Sequence, residues 1–554
     1  MQADRSPPDL AAILADAASL LTDNRAETAL ALLAPAARDH PADIALAGLH
    51  ADALHIAGRL PEAEAEYRRA LALDPAPFEP WYGLGSCLVA RWSYGAAIGA
   101  LREALQRRPH HAPAHASLAE ALFQTGLIDA AIAQFRQAAA HGDAAMQALA
   151  LRNIAVIIPG SPDAANATVL ALRRAFAASL PRTAPRAPMP RAGRKLRVAY
   201  VSAYFGGANW MKPVFAVINR HDRARFEVHM IADGGLPAAA AGYRDHAADV
   251  VWRVRGMPNA MLAERIAAAG IDVLVDLNGY SVPDRLGLFA LRPAPVQLGW
   301  FNMFATTGTD AFNALVGDAA VLPPEEEGFY SERILRVPGS YLAFEVPYGV
   351  PDVTPPPALD NGFITFGSLC SAIKLTDPVI AAWARILRAA PTARLLLRHG
   401  TLEDASNQAL LRARFAAEGI GAARLMLEGG APHQEFLATY GRIDIALDTF
   451  PYNGGTTTTE ALWQGVPVLS FNGDRWASRT SRSLLLAAGL REWVADDLAA
   501  YVARAVALAG DPATPEHLAE LRAAMRATLL GSAVCDTAGL CAALEAIYET
   551  GAAA

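Results

Sequence analysis

Residues 448–469, DTFPYNGGTTTTEALWQGVPVL, carry the residue types best suited to holding a phosphorylated ligand. An apolar strand leads into a glycine-containing loop, and the loop leads into a predicted helix. Gly454 and Gly455 let the backbone approach a ligand closely, while Thr456 and Thr457 offer hydroxyl and backbone N–H groups at the helix start. A helix N-terminus carries partial positive charge and binds phosphate. The segment therefore predicts a phosphate-binding turn, with an ordinary threonine-capped helix as the alternative.

Glu460 lies one turn into the same predicted helix. A carboxylate at this place can accept hydrogen bonds from the hydroxyl groups of a ribose. The GK[ST] sequence of a P-loop is absent from the chain. The segment is therefore expected to hold a nucleotide without a P-loop.

A second strand, loop and helix start is predicted at 365–378, TFGSLCSAIKLTDP. Thr376 or Asp377 can cap the helix, and Pro378 suits its first turn. Lys374 precedes this cap and is the only lysine in the C-terminal half of the chain. A cation beside a helix N-terminus can neutralise a leaving diphosphate, whereas the alternative is a solvated surface lysine.

Together the two loops predict binding of a nucleotide or a nucleotide sugar. No DxD motif occurs in the chain. Its four cysteines show neither a CxxC pair nor a spacing typical of metal ligands. The sequence therefore predicts no metal and no bound cofactor, with the nucleotide sugar as substrate and the two loops supplying the positive charge that a leaving diphosphate needs.

Short apolar runs alternate with helical stretches from residue 196 onward, which indicates buried parallel sheets covered by helices. Two such series predict two doubly wound domains, at 196–355 and 356–554, facing each other across a cleft. Ligands of such sheets bind beyond the carboxyl ends of the strands, where both loops lie. The strands are predicted at 196–205, 225–233, 271–280, 295–301, 333–341, 363–369, 393–400, 424–430, 443–450 and 466–473.

The N-terminal part of the chain has a repeat of 34 residues, marked by Pro41, Pro75 and Pro109. Alanines recur on the same grid, as expected where helices touch. The period is that of tetratricopeptide repeats and predicts about four of them within 1–143. Their concave face suits a protein partner, and a structural or dimerising array is the alternative. Residues 144–195 are predicted to form a helical extension followed by a linker rich in proline and arginine.

Composition narrows the class of protein further. Of the 554 residues, 48 are Lys or Arg and 55 are Asp or Glu, for a net charge of −7. This balance argues against a nucleic-acid binder, which would carry a basic excess. We find no apolar run long enough to span a membrane, and four cysteines without a pairing pattern fit a reducing compartment. A cytoplasmic location is therefore expected.

The segment PYNGGTTTTEALWQGVPVLSFNGDRWASR resembles the donor-binding signature of the O-GlcNAc transferase and Spindly family, which bacterial tetratricopeptide glycosyltransferases share. The resemblance implies a GT-B fold and an inverting, metal-independent transfer of a sugar from a nucleotide sugar to Ser or Thr of a protein acceptor, which the repeats recruit. Further matches lie at LRVAYVSAYF (196–205), LRPAPVQLGW (291–300), FYSERILRVPGSY (329–341) and HQEFLATYGRIDIALDTF (433–450).

The resemblance also implies roles for individual residues. By motif position, Lys374 resembles the lysine that contacts the donor diphosphate, and Thr456 and Thr457 resemble the residues that hold it. Glu460 matches the acidic ribose ligand, which is usually Asp in the animal enzymes.

Three more positions are implied to bind the donor. Ala431 and His433 align with the segment that reads the base and the ribose, and Ser371 stands on the donor side where the family has asparagine. Cys370 replaces a second asparagine. These differences leave the donor's sugar and nucleotide open: UDP-GlcNAc or a related UDP-sugar is favoured, with GDP-fucose or a CMP-linked nonulosonic acid as alternatives.

The general base is not defined by the motifs. Ala208 occupies the position of the family's usual histidine. Asp276, at the end of a predicted strand, and Tyr280 are candidates, as is His246, and a buried structural role is the alternative for Asp276. The alternative hypothesis is therefore a non-catalytic scaffold that binds a nucleotide sugar and acts through its repeats. The oligomeric state stays open, a homo-oligomer included.

Overall fold

The computed structural model describes residues 9–188, 193–207 and 209–553. Two compact units divide the chain: one is formed by Met1–Ala150 with Gly400–Arg414, the other by Leu151–His399 with Phe415–Ala554. Part of the predicted linker at 181–195 and Ala208, the position of the missing histidine, lie outside the described residues. No helix among the described residues has the length and apolar character that a membrane span requires.

The first unit is an array of antiparallel helix pairs. The alanines of the repeat grid lie where helices touch, and Ala63, Ala97 and Ala131 are fully buried. A larger side chain would separate the helices, so the small residues set the packing distance. Along the chain the helices are Leu10–Thr22 (α1), Ala26–Asp39 (α2), Ile44–Ile56 (α3), Leu60–Leu73 (α4), Phe78–Ala90 (α5), Tyr94–Arg107 (α6), Ala112–Gln124 (α7) and Ile128–His141 (α8).

Residues 400–414 belong to this unit although they follow its other residues, 1–150, only after a long stretch of the second unit. The Ser93 hydroxyl donates a hydrogen bond to the carboxylate of Asp404 at 2.7 Å. The Asn407 side chain accepts from the backbone N–H of Gly95 at 2.8 Å and donates to the carbonyl oxygen of Trp92 at 2.7 Å. The domain limits predicted from the sequence, which kept 356–554 together, did not anticipate this grouping.

The second unit contains two parallel sheets. The first has seven strands in the order β3-β2-β1-β4-β5-β6-β7, each neighbour parallel. Its strands are Leu196–Ser202 (β1), Phe226–Ala232 (β2), Val250–Arg253 (β3), Val273–Asp276 (β4), Val296–Gly299 (β5), Ala314–Gly317 (β6) and Arg333–Arg336 (β7). Helix Ala144–Ile157 (α9) spans the boundary between the units, and the helices that follow are Asn166–Ala177 (α10), Lys212–Ile218 (α11), Asn259–Ala268 (α12) and Leu286–Ala290 (α13).

The second sheet has six parallel strands in the order β10-β9-β8-β11-β12-β13. Its strands are Thr365–Ser368 (β8), Arg394–Arg398 (β9), Leu425–Glu428 (β10), Ile445–Leu447 (β11), Val468–Phe471 (β12) and Val494–Ala495 (β13). The helices are Ala358–Asn361 (α14), Asp377–Ala389 (α15), His433–Ala438 (α17), Thr456–Trp463 (α18), Thr480–Ala487 (α19), Leu498–Gly510 (α20), Thr514–Leu530 (α21) and Thr537–Ala553 (α22), while Ala405–Ala417 (α16), between β9 and β10 in the chain, falls mostly in the first unit.

The last helix, α22, returns to the first sheet and packs against α11. The hydroxyl of Tyr548 lies 3.0 Å from that of Tyr200 in β1. The chain therefore passes between the two sheets twice. A hydrogen bond joins these two connections, from the backbone N–H of Phe344 to the carbonyl oxygen of Val534 at 2.9 Å. The sequence had assigned all of 356–554 to the second sheet's domain, because periodicity does not reveal which sheet a helix covers.

Candidate active site

The predicted phosphate turn connects β11 to α18, and this helix begins at Thr456. Gly455 occupies the N-cap position. A Cβ atom on Gly454 would lie 2.5 Å from the hydroxyl oxygen of Thr458 and 2.8 Å from that of Thr457. Only glycine therefore fits at 454 unless the threonines move, whereas a Cβ on Gly455 would meet its nearest atom at 3.6 Å.

The buried carboxylate of Asp448 hydrogen-bonds to the backbone of this turn. One oxygen of Asp448 accepts hydrogen bonds from the N–H groups of Gly454, at 2.9 Å, and Thr449, at 3.0 Å. The other accepts from the Ser470 hydroxyl at 2.6 Å. Burial raises the pKa of Asp448, and these hydrogen bonds oppose the rise. The turn is thus held in one conformation by its own side chains.

Lys374 lies beside the turn. Its ammonium group donates a 2.6 Å hydrogen bond to the carbonyl oxygen of Asn453 and lies 4.6 Å from the centroid of the Tyr452 ring. Burial lowers the pKa of Lys374, and the Cys370 thiol and the Asp448 carboxyl group oppose that change. The structure therefore brings together the cation and the glycine–threonine turn that the sequence pointed to separately.

The short turn before Lys374 is anchored at both ends. The carbonyl oxygen of Ser371 accepts from the N–H of Lys374 at 3.0 Å. Thr376 occupies the predicted N-cap of α15, but its hydroxyl donates to the carbonyl oxygen of Phe450 at 3.2 Å instead of capping the helix. This hydrogen bond ties the lysine segment to the glycine–threonine turn.

Glu460 is 2% exposed and faces a cation from the first sheet's side, Lys212, whose nitrogen lies 3.7 Å from Oε1. Burial raises the pKa of Glu460, and the positive charge of Lys212 opposes the rise. The ring of Tyr348 lies 5.8 Å from the same ammonium group. The carboxylate predicted to bind ribose is thus part of an ion pair that joins the two sheets' domains.

His433 begins α17, and its Nε2 lies 3.3 Å from the hydroxyl oxygen of Tyr348. Burial lowers the pKa of His433, and the charge of Lys212 lowers it further. Ala431 precedes it by two residues and is half-buried. His433, Tyr348, Lys212 and Glu460 therefore form one neighbourhood, at the side of the cleft where the resemblance implied the base and ribose.

The base candidates lie in three different environments. Asp276 ends β4, is 1% exposed, and accepts hydrogen bonds from the N–H groups of Asn278, at 2.9 Å, and Gly279, at 3.2 Å. Burial raises the pKa of Asp276 to about 7, and these two hydrogen bonds oppose the rise. His246 is exposed in a turn, where its Nδ1 accepts from the N–H of Ala248.

Tyr280 lies in the hydrophobic core of the first sheet's domain. Its hydroxyl donates to the carbonyl oxygen of Thr307 at 2.8 Å, and burial raises its pKa above the ordinary value. A buried hydroxyl with a fixed acceptor does not fit the predicted catalytic role. The sequence could not reveal this, because an aromatic residue after a strand is compatible with both a core and a cleft position.

Sequence reasoning missed four residues that the structure places around the predicted ones: Lys212, Tyr348, Asn209 and Tyr440. The Asn209 side chain hydrogen-bonds to Glu460, and the Tyr440 hydroxyl donates to the carbonyl oxygen of Thr457 at 2.9 Å. Of these residues, only Lys212 stands out in the sequence, because the chain has just three lysines.

The arrangement has two chemically different ends. One end offers a cation and a helix start, which suit phosphate. The other offers a carboxylate, an imidazole and a phenol, which suit the hydroxyl groups and base of a nucleoside. Two parallel α/β domains that meet across such a cleft, combined with helical repeats, define a GT-B glycosyltransferase fold.

Comparison with known proteins agrees with this class. Residues 172–346 and 357–544 match glycosyl transferase family 41, and residues 93–152 match a tetratricopeptide repeat. The chain belongs to glycosyl transferase family 41. A solved structure of a mutant O-GlcNAc transferase from Thermobaculum terrenum is similar, with a TM-score of 0.77 and 31% identity, over 93% of this chain and 99% of that one.

Curated relatives are similar over part of their length. A protein of Petunia hybrida named probable UDP-N-acetylglucosamine–peptide N-acetylglucosaminyltransferase SPINDLY is 32% identical over 355 residues, which are 63% of this chain and 36% of that protein. A UDP-N-acetylglucosamine–peptide N-acetylglucosaminyltransferase of Caenorhabditis elegans is 23% identical over 65% of this chain and 41% of that protein. The chain thus spans well under half the length of these two relatives.

Proposed function

We propose that the protein is a glycosyltransferase that moves a sugar from a nucleotide-sugar donor to the side chain of a protein acceptor. The observation that carries this proposal is the hydrogen bond from the Lys374 ammonium group to Asn453, beside the start of α18. A fixed cation next to free helical N–H groups is what a leaving diphosphate requires. The names of the relatives support a peptide as acceptor.

The proposed reaction is a single displacement that inverts the sugar's configuration. The hydroxyl oxygen of an acceptor Ser or Thr bonds to the anomeric carbon, and the bond from that carbon to the phosphate oxygen breaks. The nucleoside diphosphate leaves with both bonding electrons, and the acceptor's proton goes to a base. Asp276 stays a proposed base, since it ends β4 at the carboxyl edge of the first sheet, where ligands of such sheets bind, and a pKa of about 7 suits proton transfer near neutral pH.

The proposed transfer does not use a metal. Lys374 and the backbone N–H groups at Thr456 and Thr457 would carry the charge of the leaving diphosphate. Their donors are already positioned by Asp448 and by the contact to Asn453, so little reorganisation opposes the reaction. Glu460, His433, Ala431 and Ser371 are proposed to hold the rest of the donor.

UDP-GlcNAc or a related UDP-sugar is the proposed donor, by analogy with the named activity of the relatives. The repeats are proposed to recruit the acceptor, since stacked helix pairs present an extended surface to protein partners. GDP-fucose or a CMP-linked nonulosonic acid is the alternative donor.

The experiment is a donor panel with two readouts. The full chain is titrated with UDP, GDP and CMP and with their sugar conjugates, and the release of nucleotide and the labelling of protein are followed with and without EDTA. We expect one nucleotide to bind and Lys374→Ala to lower turnover by about 10²-fold or more. Lys195→Ala is the matched control, since that ammonium group donates to the Arg223 carbonyl oxygen in an exposed position, away from the two loops.

The second candidate function is a scaffold that binds a nucleotide sugar without transferring it. Ala208 and the buried state of Tyr280 favour it, since neither supplies a base. Binding of a nucleotide without any release or transfer of sugar would support the scaffold, and turnover lost in Lys374→Ala would exclude it.

A further inference from the structure

Lys212 and Glu460 approach each other from different domains. Lys212 begins α11, next to the first sheet, and Glu460 lies in α18, next to the second. Their side chains are 3% and 2% exposed. Taking two charged groups out of water costs free energy that an ion pair repays only with good geometry and further hydrogen bonds.

The geometry of this pair is not that of a direct hydrogen bond. The nitrogen of Lys212 and Oε1 of Glu460 are 3.7 Å apart, beyond the usual distance of about 2.7–3.2 Å. Among the described residues, Oε1 has no hydrogen-bond partner although it is buried. The Asn209 side chain hydrogen-bonds to the same carboxylate and lowers its pKa, so the carboxylate is partly satisfied by the protein. A buried Oε1 left without a donor is still costly, and this oxygen points to a ligand that supplies one.

A single hydroxyl group satisfies both side chains. An oxygen atom about 2.8 Å from each of two atoms that are 3.7 Å apart is sterically allowed. Such a hydroxyl accepts a hydrogen bond from the ammonium group and donates a hydrogen bond to the carboxylate. A lone acceptor or a lone donor satisfies only one of the two.

We propose that Lys212 is a donor-binding residue supplied by the first sheet's domain, and that a ribose hydroxyl of the nucleotide lies between its ammonium group and Glu460. This inference rests on the proposed function, because it takes the ligand to be a nucleotide. It assigns a role to a residue that the sequence motifs left unassigned. One hydroxyl thereby links both walls of the cleft.

The test compares ribonucleotides with deoxynucleotides. The nucleotide diphosphate that binds best and its 2′-deoxy and 3′-deoxy analogues are titrated calorimetrically into the full chain and into Lys212→Met, Lys212→Arg and Glu460→Gln. Wild type should bind the ribonucleotide at least about tenfold more tightly than one of the deoxy analogues. Lys212→Met should lose most of that preference, and Lys212→Arg should keep part of it. Lys195→Met, a lysine variant outside the cleft, should keep all of it.

The outcomes separate this inference from the proposed function. Equal loss of affinity for the ribonucleotide and both deoxy analogues in Lys212→Met would mean a structural role and overturn the inference alone. If Lys212→Met does not fold, the wild-type protein decides, since equal affinity for all three nucleotides also overturns it. Binding of no nucleotide by the wild-type protein would overturn the proposed function and this inference with it.

Discussion

The guanidinium carbon of Arg173 lies 3.8 Å from the centroid of the Tyr280 ring. Arg173 also donates to the carbonyl oxygen of Thr306 at 2.7 Å, and the Tyr280 hydroxyl donates to that of the next residue, Thr307. The two side chains together hold the loop that follows β5. This arrangement gives Tyr280 a supporting function that can be separated experimentally from catalysis.

Tyr280→Phe should therefore reduce stability and spare chemistry. Removing the hydroxyl leaves the carbonyl oxygen of Thr307 without that donor, which costs about 1 kcal/mol of unfolding free energy. Urea denaturation measures this loss, and the sugar-transfer rate should stay within about twofold of wild type. A rate that falls a hundredfold while stability is unchanged would restore the catalytic role.

Asp276→Asn should change how stability depends on pH. The folded protein holds a proton on Asp276 up to about pH 7, whereas the unfolded chain releases it near the ordinary pKa of about 3.9. The stability that this proton contributes is present at low pH and is lost as pH rises toward 7. The unfolding free energy of Asp276→Asn relative to wild type should therefore rise by about 2 kcal/mol between pH 5 and 7.5.

Urea denaturation of both proteins at the two pH values measures this difference, with the exposed Asp360→Asn as control. An equal difference at both pH values would contradict the raised pKa. The transfer rate of the same variant also tests the proposed base, since retained transfer would leave Asp276 with only its contacts to the turn.

Asp448 offers a paired test of the phosphate turn. In Asp448→Asn the amide oxygen can still accept from Gly454 and Thr449, and the Ser470 hydroxyl can turn to accept from the amide nitrogen. We expect a loss of no more than about 1 kcal/mol. Asp448→Ala leaves both N–H groups without this acceptor and should cost about 3 kcal/mol, with weaker nucleotide binding. Denaturation and calorimetry measure the two effects, and equal losses in both variants would contradict the anchoring role.

Two glycines of α6 give a matched test of the contact to residues 400–414. A Cβ on Gly95 would clash with the backbone carbonyl of Ser406, whereas a Cβ on Gly99 meets no atom within 4 Å. Gly99→Ala should stabilise the protein by about 0.5–1 kcal/mol through helix propensity. Gly95→Ala should destabilise it by about 1–3 kcal/mol through overpacking. Thermal or urea unfolding measures both, and the same sign in both variants would contradict the packing described.

The sequence predicted the parts of the site that are local. A strand, a glycine turn and a helix that starts with threonines follow one another at 448–460, so the sequence alone indicates both the chemical groups and their arrangement. Lys374 was visible for the same reason. The 34-residue period likewise predicted the repeats, because each helix pair buries the same small positions.

The parts that escaped prediction depend on contacts between distant residues. Lys212 and Glu460 are 248 positions apart, and no periodic pattern connects them. Strands β3, β6 and β13 were not predicted; β3 and β6 have four residues each, as several predicted strands do, and β13 has two. The sequence also does not show that α22 packs against the first sheet's domain, because an amphipathic helix can cover either sheet.

The double passage of the chain between the two sheets has a mechanical consequence. The backbone N–H of Phe344 donates to the carbonyl oxygen of Val534, so the two connections lie side by side. A change in the angle between the two domains would therefore bend the backbone at both connections. Lys212 and Glu460 lie on opposite walls of the cleft, so opening of the cleft would separate them and would cost the free energy of their ion pair.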